Sequence, residues 1–374
     1  MRVLAAVLLC LVTACSTAET TAPPPTGKFK VEQLASGLEH GWDVGFLPDG
    51  RLLVPQRPGR LALIDAGKVS TVDADFGDVL VAGEGGLMGL VVHPDFAATG
   101  EFTTCQTHRD PDDVRLVTWK LDGARATRVR DLLTGLPVNP SGRHSGCRPT
   151  LAPDGALLVG TGDTARPSIA QDRHSLGGKV LRIDLKTGNP LPGNPFLGSA
   201  DTDPRILSYG HRNVQGVAVR DGGQVFTAEH GPAFDDEVNL IKPGANYGWD
   251  PSKGGTTADY DESVPMTDTS RFPDAIPAVW STGKITEAIC AADFLHGKQW
   301  GAMEGKLAVV ALKGQKMLLL GLDPSGVLVD VTLPPEFDDK FGRLRAVRSG
   351  PDGALYVTTS DGTDDKLLKV TPAP

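Results

Sequence analysis

Short apolar runs that follow a tight-turn signal recur along the chain. The turn Pro48-Asp49-Gly50 precedes RLLVPQR, Pro153-Asp154-Gly155 precedes ALLVGTG, and Pro351-Asp352-Gly353 precedes ALYVTTS. A weaker copy, Asp221-Gly222-Gly223, precedes QVFTAEH. Proline presets φ in such a turn, aspartate caps its own backbone, and glycine accepts a positive φ. The pattern therefore predicts short β-strands, each entered through a turn.

The spacing of these turns indicates a repeated architecture. By length alone, the chain after its N-terminal segment could form one large all-β domain or two smaller ones. Positions 48 and 351 lie 303 residues apart, which is six periods of about 50 residues, as expected for propeller blades rather than a sandwich. The copy at 221 lies off this grid, and no long segment has helical periodicity. We therefore predict an all-β, six-bladed β-propeller.

The N-terminal residues have the pattern of an export signal. Arg2 is followed by the apolar run Val3–Val12, too short to span a bilayer as a mature helix. The run ends in Val-Thr-Ala-Cys, which resembles the bacterial lipobox and predicts a signal peptide over 1–14 and a lipidated Cys15; an ordinary signal peptide is the alternative. Residues 15–28 would be a Thr/Pro-rich tether, followed by the domain 29–374. We expect an extracytoplasmic protein that is anchored to the membrane through lipid.

Composition narrows the classes of partner and metal. The 45 Gly and 29 Pro residues suit many short strands joined by turns, and 40% hydrophobic residues argue against disorder. The formal net charge is −9 and no basic cluster interrupts it, so nucleic acid is a poor candidate partner. Of five cysteines, only Cys105, Cys147 and Cys290 would remain in the mature domain. No Cys-x-x-Cys pair is present, which makes a zinc or iron–sulfur site unexpected.

Polar residues lie at the predicted ends of strands, where a propeller would gather them. His144 opens the strand before the Pro153 turn, and Asp163 closes the strand after it. Arg212-Asn213 and Gly231-Pro232 bracket the 221 turn in the same way. The innermost strands begin, and the next ones end, at the same mouth of a propeller. The further candidates at strand ends are Lys313, Arg343 and Arg345.

These residue types predict a redox site for a carboxylated quinone. Three cations can hold a polyanion, two backbone carbonyls can hold a hard metal ion, and a histidine backed by an aspartate can accept a proton. Arg343 and Arg345, two positions apart on a strand, would share one face and point at one ligand.

Six motifs in order resemble the soluble pyrroloquinoline-quinone (PQQ) dependent sugar dehydrogenases, the glucose/sorbosone dehydrogenase family. The likeness covers roughly residues 30–372. Its stretches are GEGGLMGLVVHPDF (83–96), HSGCRPTLAPDGALLVGTGD (144–163), LGGKVLRIDLKTGNPLPGNPF (176–196), SYGHRNVQGVAV (208–219), AEHGPAFDDEVNLIKPGANYGW (228–249) and RLRAVRSGPDGALYV (343–357). The resemblance implies a six-bladed propeller with four antiparallel strands in each blade.

The resemblance also implies roles for the polar residues. His144 would be the general base that takes the proton of a sugar hydroxyl, and Asp163 would orient it. Arg212 and Asn213 would hydrogen-bond the quinone oxygens and stabilise charge that develops on reduction. The cations matching those that pair with PQQ carboxylates are Lys313, Arg343 and Arg345. Glu84 stands near the cofactor, where the family commonly has glutamine.

Calcium is implied in the same way. Gly231 and Pro232 match positions whose backbone carbonyls bind the calcium ion that also contacts PQQ. Glu237 and Tyr247 match a second, structural calcium site of some relatives, through the glutamate carboxylate and the tyrosine backbone oxygen.

The expected function is therefore a PQQ- and Ca²⁺-dependent oxidoreductase. It would oxidise an aldose-type hydroxyl by hydride transfer to the quinone and pass the electrons to an external acceptor. The alternative is a non-catalytic cell-surface propeller that binds a carbohydrate or protein ligand, because fold alone does not decide function. Hydrolysis through paired carboxylates lacks a convincing acid/base pair.

A disulfide between Cys105 and Cys147 is expected from the predicted strands. Cys105 lies near the mouth-end of one blade's second strand, and Cys147 lies in the first strand of the following blade. Cys290 belongs to a later blade, across the channel. An extracytoplasmic setting permits a disulfide; three buried reduced thiols are the alternative.

Overall fold

The computed structural model of the chain describes residues 28–373. It contains six four-stranded antiparallel sheets that form a six-bladed β-propeller, which confirms the predicted fold class. The predicted signal peptide, the lipidated Cys15 and nearly all of the tether lie outside the described residues. Within residues 28–373, no helix is long and apolar enough to cross a membrane.

The blades are numbered along the chain, and their strands run from innermost to outermost. Blade 1 contains β2 (Gly45–Phe46), β3 (Leu52–Gln56), β4 (Arg60–Asp65) and β5 (Lys68–Thr71). Blade 2 contains β6 (Leu87–Val92), β7 (Glu101–His108), β8 (Asp113–Asp122) and β9 (Arg125–Leu136). Blade 3 contains β10 (Arg148–Leu151), β11 (Ala156–Gly160), β12 (Lys179–Asp184) and β13 (Ile206–Tyr209). Blade 4 contains β14 (Val214–Val219), β15 (Val225–Glu229), β16 (Glu237–Leu240) and β17 (Trp280–Ser281). Blade 5 contains β18 (Ile289–Phe294), β19 (Leu307–Ala311), β20 (Met317–Leu322) and β21 (Leu328–Thr332). Blade 6 contains β22 (Leu344–Ser349), β23 (Leu355–Thr359), β24 (Asp365–Pro372) and β1 (Phe29–Leu38). The helical segments are α1 (Phe96–Thr99) and the 3₁₀ turns Lys298–Met303 and Pro335–Phe337.

The Pro-Asp-Gly turns join the first and second strands of blades 1, 3 and 6. In blade 3, Oδ1 of Asp154 accepts a hydrogen bond from the backbone N–H of Ala156 at 3.1 Å, and Gly155 has a φ of 83°. Asp352 and Gly353 repeat this arrangement in blade 6. The turn chemistry inferred from the sequence therefore sets where each second strand begins.

The first strand of the described chain closes the ring. Strand β1 pairs antiparallel with β24, with Phe29 opposite Pro372 and Val31 opposite Val370. Blade 6 thus combines one strand from the start of the domain with three from its end. This pairing joins the two ends of the domain non-covalently.

Arg148 on β10 connects four other blades near their innermost strands. Its guanidinium donates to the backbone oxygens of Trp42 and Gln215, each at 2.8 Å, and of Cys290 and Arg345, each at 3.4 Å. Its side chain is only 2% exposed. A fork of five N–H donors suits this role, because one side chain can satisfy several carbonyls at once.

A disulfide joins blades 2 and 3. Cys105 on β7 and Cys147 are bonded with their Cα atoms 6.1 Å apart. Cys147 lies directly before β10, so the expectation that it lies within the first strand was wrong, because its positive φ does not fit an extended strand. Cys290 on β18 is buried with a free thiol. The bond therefore braces the segment that leads into the first strand of blade 3.

Candidate active site

The strand ends bring the candidate polar residues to one mouth of the propeller. His144 precedes β10 and Asp163 follows β11, while Asn213 precedes β14 and Gly231 follows β15. Because the paired strands are antiparallel, the start of the first and the end of the second lie on the same side. The other candidates at strand ends on this side are Glu84, Arg212, Pro232, Lys313, Arg343 and Arg345.

The base candidate lies on a bent segment rather than on a strand. Strand β10 begins at Arg148, so the expectation that His144 opens it was wrong. The backbone φ is positive at His144 (53°) and Cys147 (130°), which is incompatible with an extended strand. A Cβ atom on Gly162 would lie 1.9 Å from the carbonyl oxygen of His144. Glycine at 162 therefore permits the close approach that holds this bend against the end of β11.

His144 and Asp163 form a buried pair. Nδ1 of His144 lies 2.7 Å from Oδ1 of Asp163, and the two side chains are 5% and 0% exposed. A carboxylate at this position favours the tautomer that carries its proton on Nδ1. Within residues 28–373, the hydrogen bonds of the ring involve Nδ1 only. Nε2 is thus left as the proton-accepting nitrogen.

Two aromatic side chains hold the other oxygen of Asp163. Trp249 donates from Nε1 to Oδ2 at 2.7 Å, and the Tyr260 hydroxyl donates to the same atom at 2.6 Å. Burial alone would raise the pKa of Asp163, but the charge and hydrogen bond of His144 hold it below its usual value. The carboxylate therefore stays ionised, and its position is fixed by several donors.

Arg212 is buried and fully engaged at both terminal nitrogens. Nη1 donates to the carbonyl oxygen of His230 at 2.7 Å, and Nη2 donates to Oε1 of Glu262 at 2.5 Å. Its Cζ lies 5.7 Å from the ring centre of Trp249. Burial would lower the pKa of Arg212, but Tyr260 and Asp163 beside it raise it above its usual value. The site thus keeps a permanent positive charge near His144.

Glu84, which precedes the first strand of blade 2, hydrogen-bonds residues at the start of blade 4. Its carboxylate accepts from Nδ2 of Asn213 at 3.0 Å and from Nε2 of Gln215 at 3.0 Å. Burial would raise the pKa of Glu84, but the charges of His144 and His230 lower it overall. Glu84 therefore adds a negative charge to the mouth and occupies the amide donors of Asn213.

A cavity of about 300 Å³ opens at this mouth and is rich in cations. Its lining includes Arg57, Arg143, Arg343, Arg345, Glu84, Gln215 and His230. Arg345 is buried, packs its guanidinium 4.0 Å from the ring centre of Trp42, and donates to Oε1 of Gln215 at 2.8 Å. Burial lowers the pKa of Arg345 to about 10, so it stays charged near neutrality.

The three cation candidates do not share one environment. Arg343 and Arg345 line the cavity, and Arg343 is exposed at its rim. Lys313 is exposed and does not line the cavity, although the preceding residue, Leu312, does. The structure thus brings two of the three cations to the cavity wall.

Gly231 sits in a tight bend after β15. Its N–H donates to Oδ1 of Asp236 at 2.8 Å, and its carbonyl oxygen accepts from Nδ1 of His230 at 2.5 Å. A Cβ atom at this position would lie 2.1 Å from the carbonyl oxygen of Phe234. Pro232 follows directly and is half-buried. The bend therefore requires glycine, and its carbonyl faces a polar neighbour.

Glu237 is a buried acid beside a second one. It accepts from the Thr267 hydroxyl at 3.0 Å and from Nδ2 of Asn239 at 3.3 Å. Burial and the neighbouring Glu229 raise the pKa of Glu237 to about 8. Tyr247 is buried and stacks on His211, with ring centres 4.5 Å apart. In the part of the chain from 28 to 373, no group of three or more His, Cys, Asp or Glu side chains forms a metal site.

Sequence reasoning missed the side chains that the segment between β16 and β17 carries to this mouth. They are Trp249, Tyr260 and Glu262. The stretch between Leu240 and Trp280 contains no strand. The family-like stretch 228–249 extends into this segment as far as Trp249, but nothing in the segment indicates which residues reach His144, Asp163 or Arg212.

Comparisons with known proteins identify the family of this chain. The model of the Glucose / Sorbosone dehydrogenase family matches residues 38–369. The chain belongs to this family. It is 30% identical to an aldose sugar dehydrogenase of Escherichia coli K12, over 96% of each chain, and 29% identical to quinoprotein glucose dehydrogenase B of Acinetobacter calcoaceticus, over 54% of this chain and 48% of that one. The PQQ-bound aldose sugar dehydrogenase of Streptomyces coelicolor is similar with a TM-score of 0.76 and 31% identity, over 94% and 99% of the two chains.

Proposed function

We propose that this chain is a PQQ- and calcium-dependent sugar dehydrogenase that oxidises an aldose-type hydroxyl and passes electrons to an external acceptor. The observation that carries the proposal is the buried His144–Asp163 pair at the same mouth as a cation-lined cavity. The activities of the E. coli, Acinetobacter and Streptomyces relatives support it.

The cavity suits a polyanionic quinone. Four guanidinium groups face it against one carboxylate, and two of them, on Arg57 and Arg345, have a buried Nε with no hydrogen-bond partner among residues 28–373. An unpaired buried donor costs free energy unless a ligand completes it. Carboxylates pair with guanidinium groups through short, charge-assisted hydrogen bonds. The donor set therefore fits PQQ, with Arg343 and Arg345 holding carboxylates and Lys313 reaching in from the rim.

When bound, PQQ would supply the acceptor for the two electrons and the hydrogen that leave the sugar carbon. His144 would accept the hydroxyl proton at Nε2, because Nδ1 is already committed to Asp163. Asp163 would hold the ring and stabilise the imidazolium that results. Arg212 would direct its positive charge at the cofactor oxygens, and Asn213 would donate to them once its amide is released from Glu84.

Calcium would be held by backbone oxygens rather than by a carboxylate cluster. The carbonyls of Gly231 and Pro232 are hard donors of the kind that Ca²⁺ prefers. His230 donates to the carbonyl oxygen of Gly231 in the structure. Burial lowers the pKa of His230, so breaking this hydrogen bond would leave a neutral ring and not a buried imidazolium. Glu237 and the backbone oxygen of Tyr247 would contribute to a second ion, whose charge would favour the ionised glutamate.

Reconstitution tests the proposal. Purified apo-protein is titrated with PQQ with and without Ca²⁺, and dye reduction is then measured over a panel of aldoses and polyols. The expected result is stoichiometric, calcium-dependent binding and turnover of at least one sugar. Absence of PQQ binding in the presence of calcium would reject the enzyme and favour the alternative, a non-catalytic cell-surface propeller.

We further propose that the mature protein is an extracytoplasmic lipoprotein anchored through Cys15, because residues 1–15 have the lipobox pattern. Metabolic labelling with a palmitate analogue tests this. The label should appear in the wild type and be absent from Cys15→Ser. Equal labelling of both proteins, or none in either, would exclude the anchor.

A further inference from the structure

The segment between β16 and β17 is anchored at the mouth by its own apolar contacts. Trp249, Val264 and Met266 are buried in a small cluster with Ala170, a residue of blade 3 that precedes β12. Tyr260 packs against the same cluster and bonds Asp163. The packing of this segment therefore fixes the positions of its polar side chains.

One of those side chains, Glu262, bridges two cations at the mouth. Its Oε1 atom lies 2.5 Å from Nη2 of Arg212 and 2.9 Å from Nη2 of Arg143. Arg143 directly precedes His144 in the sequence and lies over the ring of Tyr260. The Glu262 side chain is 36% exposed, whereas that of Arg212 is 5% exposed. A single carboxylate thus joins the cation next to the base to the cation proposed to face the quinone.

This pairing limits what Arg212 can offer to a ligand. Glu262 occupies Nη2, the His230 carbonyl occupies Nη1, and Nε is buried without a hydrogen-bond partner in the part of the chain that the structure describes. The negative charge of Glu262 also offsets part of the positive charge of Arg212. Both effects act at the place where a reduced quinone would carry more negative charge than the oxidised one.

We infer that Glu262 is a positioning residue that restrains Arg212 and Arg143 and weakens the positive field on the bound cofactor. The inference rests on the proposed function, because it assigns a consequence to the site only when PQQ is present. It follows that Glu262 weakens cofactor affinity and makes the bound quinone harder to reduce. Both effects follow because the negative charge of Glu262 acts on the cofactor as the loss of part of a nearby positive charge would.

Glu262→Gln tests this with little change of shape. The amide keeps an oxygen for one arginine but loses the charge. Dissociation constants from calorimetry should fall by roughly two- to fivefold, the range for losing one partly exposed charge partner. The midpoint potential of the bound cofactor, from a spectroelectrochemical titration, should shift to a more positive value. Glu262→Asp, which retains the charge, should stay closer to wild type in potential than Glu262→Gln does.

Glu32→Gln is the matched control, because it removes one exposed negative charge on the outer strand β1. It should match wild type in both readouts. Equal affinity and potential for wild type, Glu262→Gln and Glu32→Gln would overturn the inference, as would equal shifts in Glu262→Gln and Glu32→Gln. If wild-type protein binds no PQQ, the proposed function fails first, which is a distinct outcome.

Discussion

At the residue scale, burial separates cations that look equivalent in the sequence. Arg345 is 4% exposed and stacks on Trp42, and its Nε has no hydrogen-bond partner within the described range 28–373. Lys313 is exposed and follows the lining residue Leu312. A charge held in a dry site interacts more strongly with a ligand than one surrounded by water. Exposed pairs contribute little because solvent screens them.

Arg345→Ala should therefore weaken PQQ binding more than Lys313→Ala. Losing a charge-assisted hydrogen bond costs about 1.5–3 kcal/mol, or roughly one to two orders of magnitude in the dissociation constant. Lys313→Ala should change it by no more than about fivefold. Calorimetry on both variants checks this, with thermal unfolding as the test that each is folded. A larger loss in Lys313→Ala would contradict the ranking of Arg345 above Lys313 as a carboxylate partner.

The sequence was sufficient to predict the polar residues at the strand ends, but not the side chains that hydrogen-bond to them. His144, Asp163 and Arg212 stand next to turns and strands whose order a propeller dictates. Tyr260 lies 116 residues from His144 in sequence, in a segment with no repeat signal. Its contact depends on how an irregular segment packs, through the cluster around Trp249 and Met266. No local pattern encodes such packing.

At the element scale, the covalent link between blades 2 and 3 fixes the approach to the base. The disulfide joins β7 to the residue before β10, and the two cysteines are 42 residues apart. Closing a loop of that length lowers the entropy of the unfolded chain. The same segment contains the positive φ values that moved the start of β10 to Arg148, which strand patterning alone did not predict.

Removing this link should destabilise the protein. The double variant Cys105→Ala/Cys147→Ala should lower the free energy of unfolding by about 2–4 kcal/mol, measured by denaturant titration. Reductant should lower the stability of wild type by a similar amount and leave the double variant unchanged, which separates the bond from the effect of the alanines. Wild-type stability that is insensitive to reductant would show that the two thiols are not bonded.

At the scale of the whole molecule, the ring depends on contacts between distant parts of the chain. The Pro-Asp-Gly pattern indicated a propeller, but the predicted period was wrong, because the turns of blades 1 and 6 are five blades apart and their 303 residues correspond to about 61 residues per blade. It did not predict that β1 completes blade 6, since a strand without a turn signal can be assigned only through its partner. Nor did it identify Arg148, whose hydrogen bonds reach four other blades.

Arg148→Met should weaken the whole propeller. It removes a buried cation from Asp43, 3.1 Å away, and from four backbone carbonyls. Asp43 keeps its pairing with Arg348, so most of the loss comes from the buried carbonyls left without a donor, and we expect it to be about 3–5 kcal/mol. Arg125→Met, which removes an exposed arginine paired loosely with Asp73, should cost less than about 1 kcal/mol. Chemical unfolding compares the two, and a similar small loss for both would refute the central role of Arg148.

The central claim is that His144 takes the proton while a sugar reduces bound PQQ at this mouth. Its most direct test is a single-turnover experiment without an external acceptor. Protein loaded with PQQ and Ca²⁺ is mixed with the sugar that the dye-reduction panel selects, and the absorbance of the quinone is followed. Wild type should reduce the bound quinone stoichiometrically. His144→Ala should bind PQQ equally well but react roughly 10²–10⁴-fold more slowly. Reduction at the wild-type rate in His144→Ala, or bound PQQ that no sugar reduces in wild type, would contradict it.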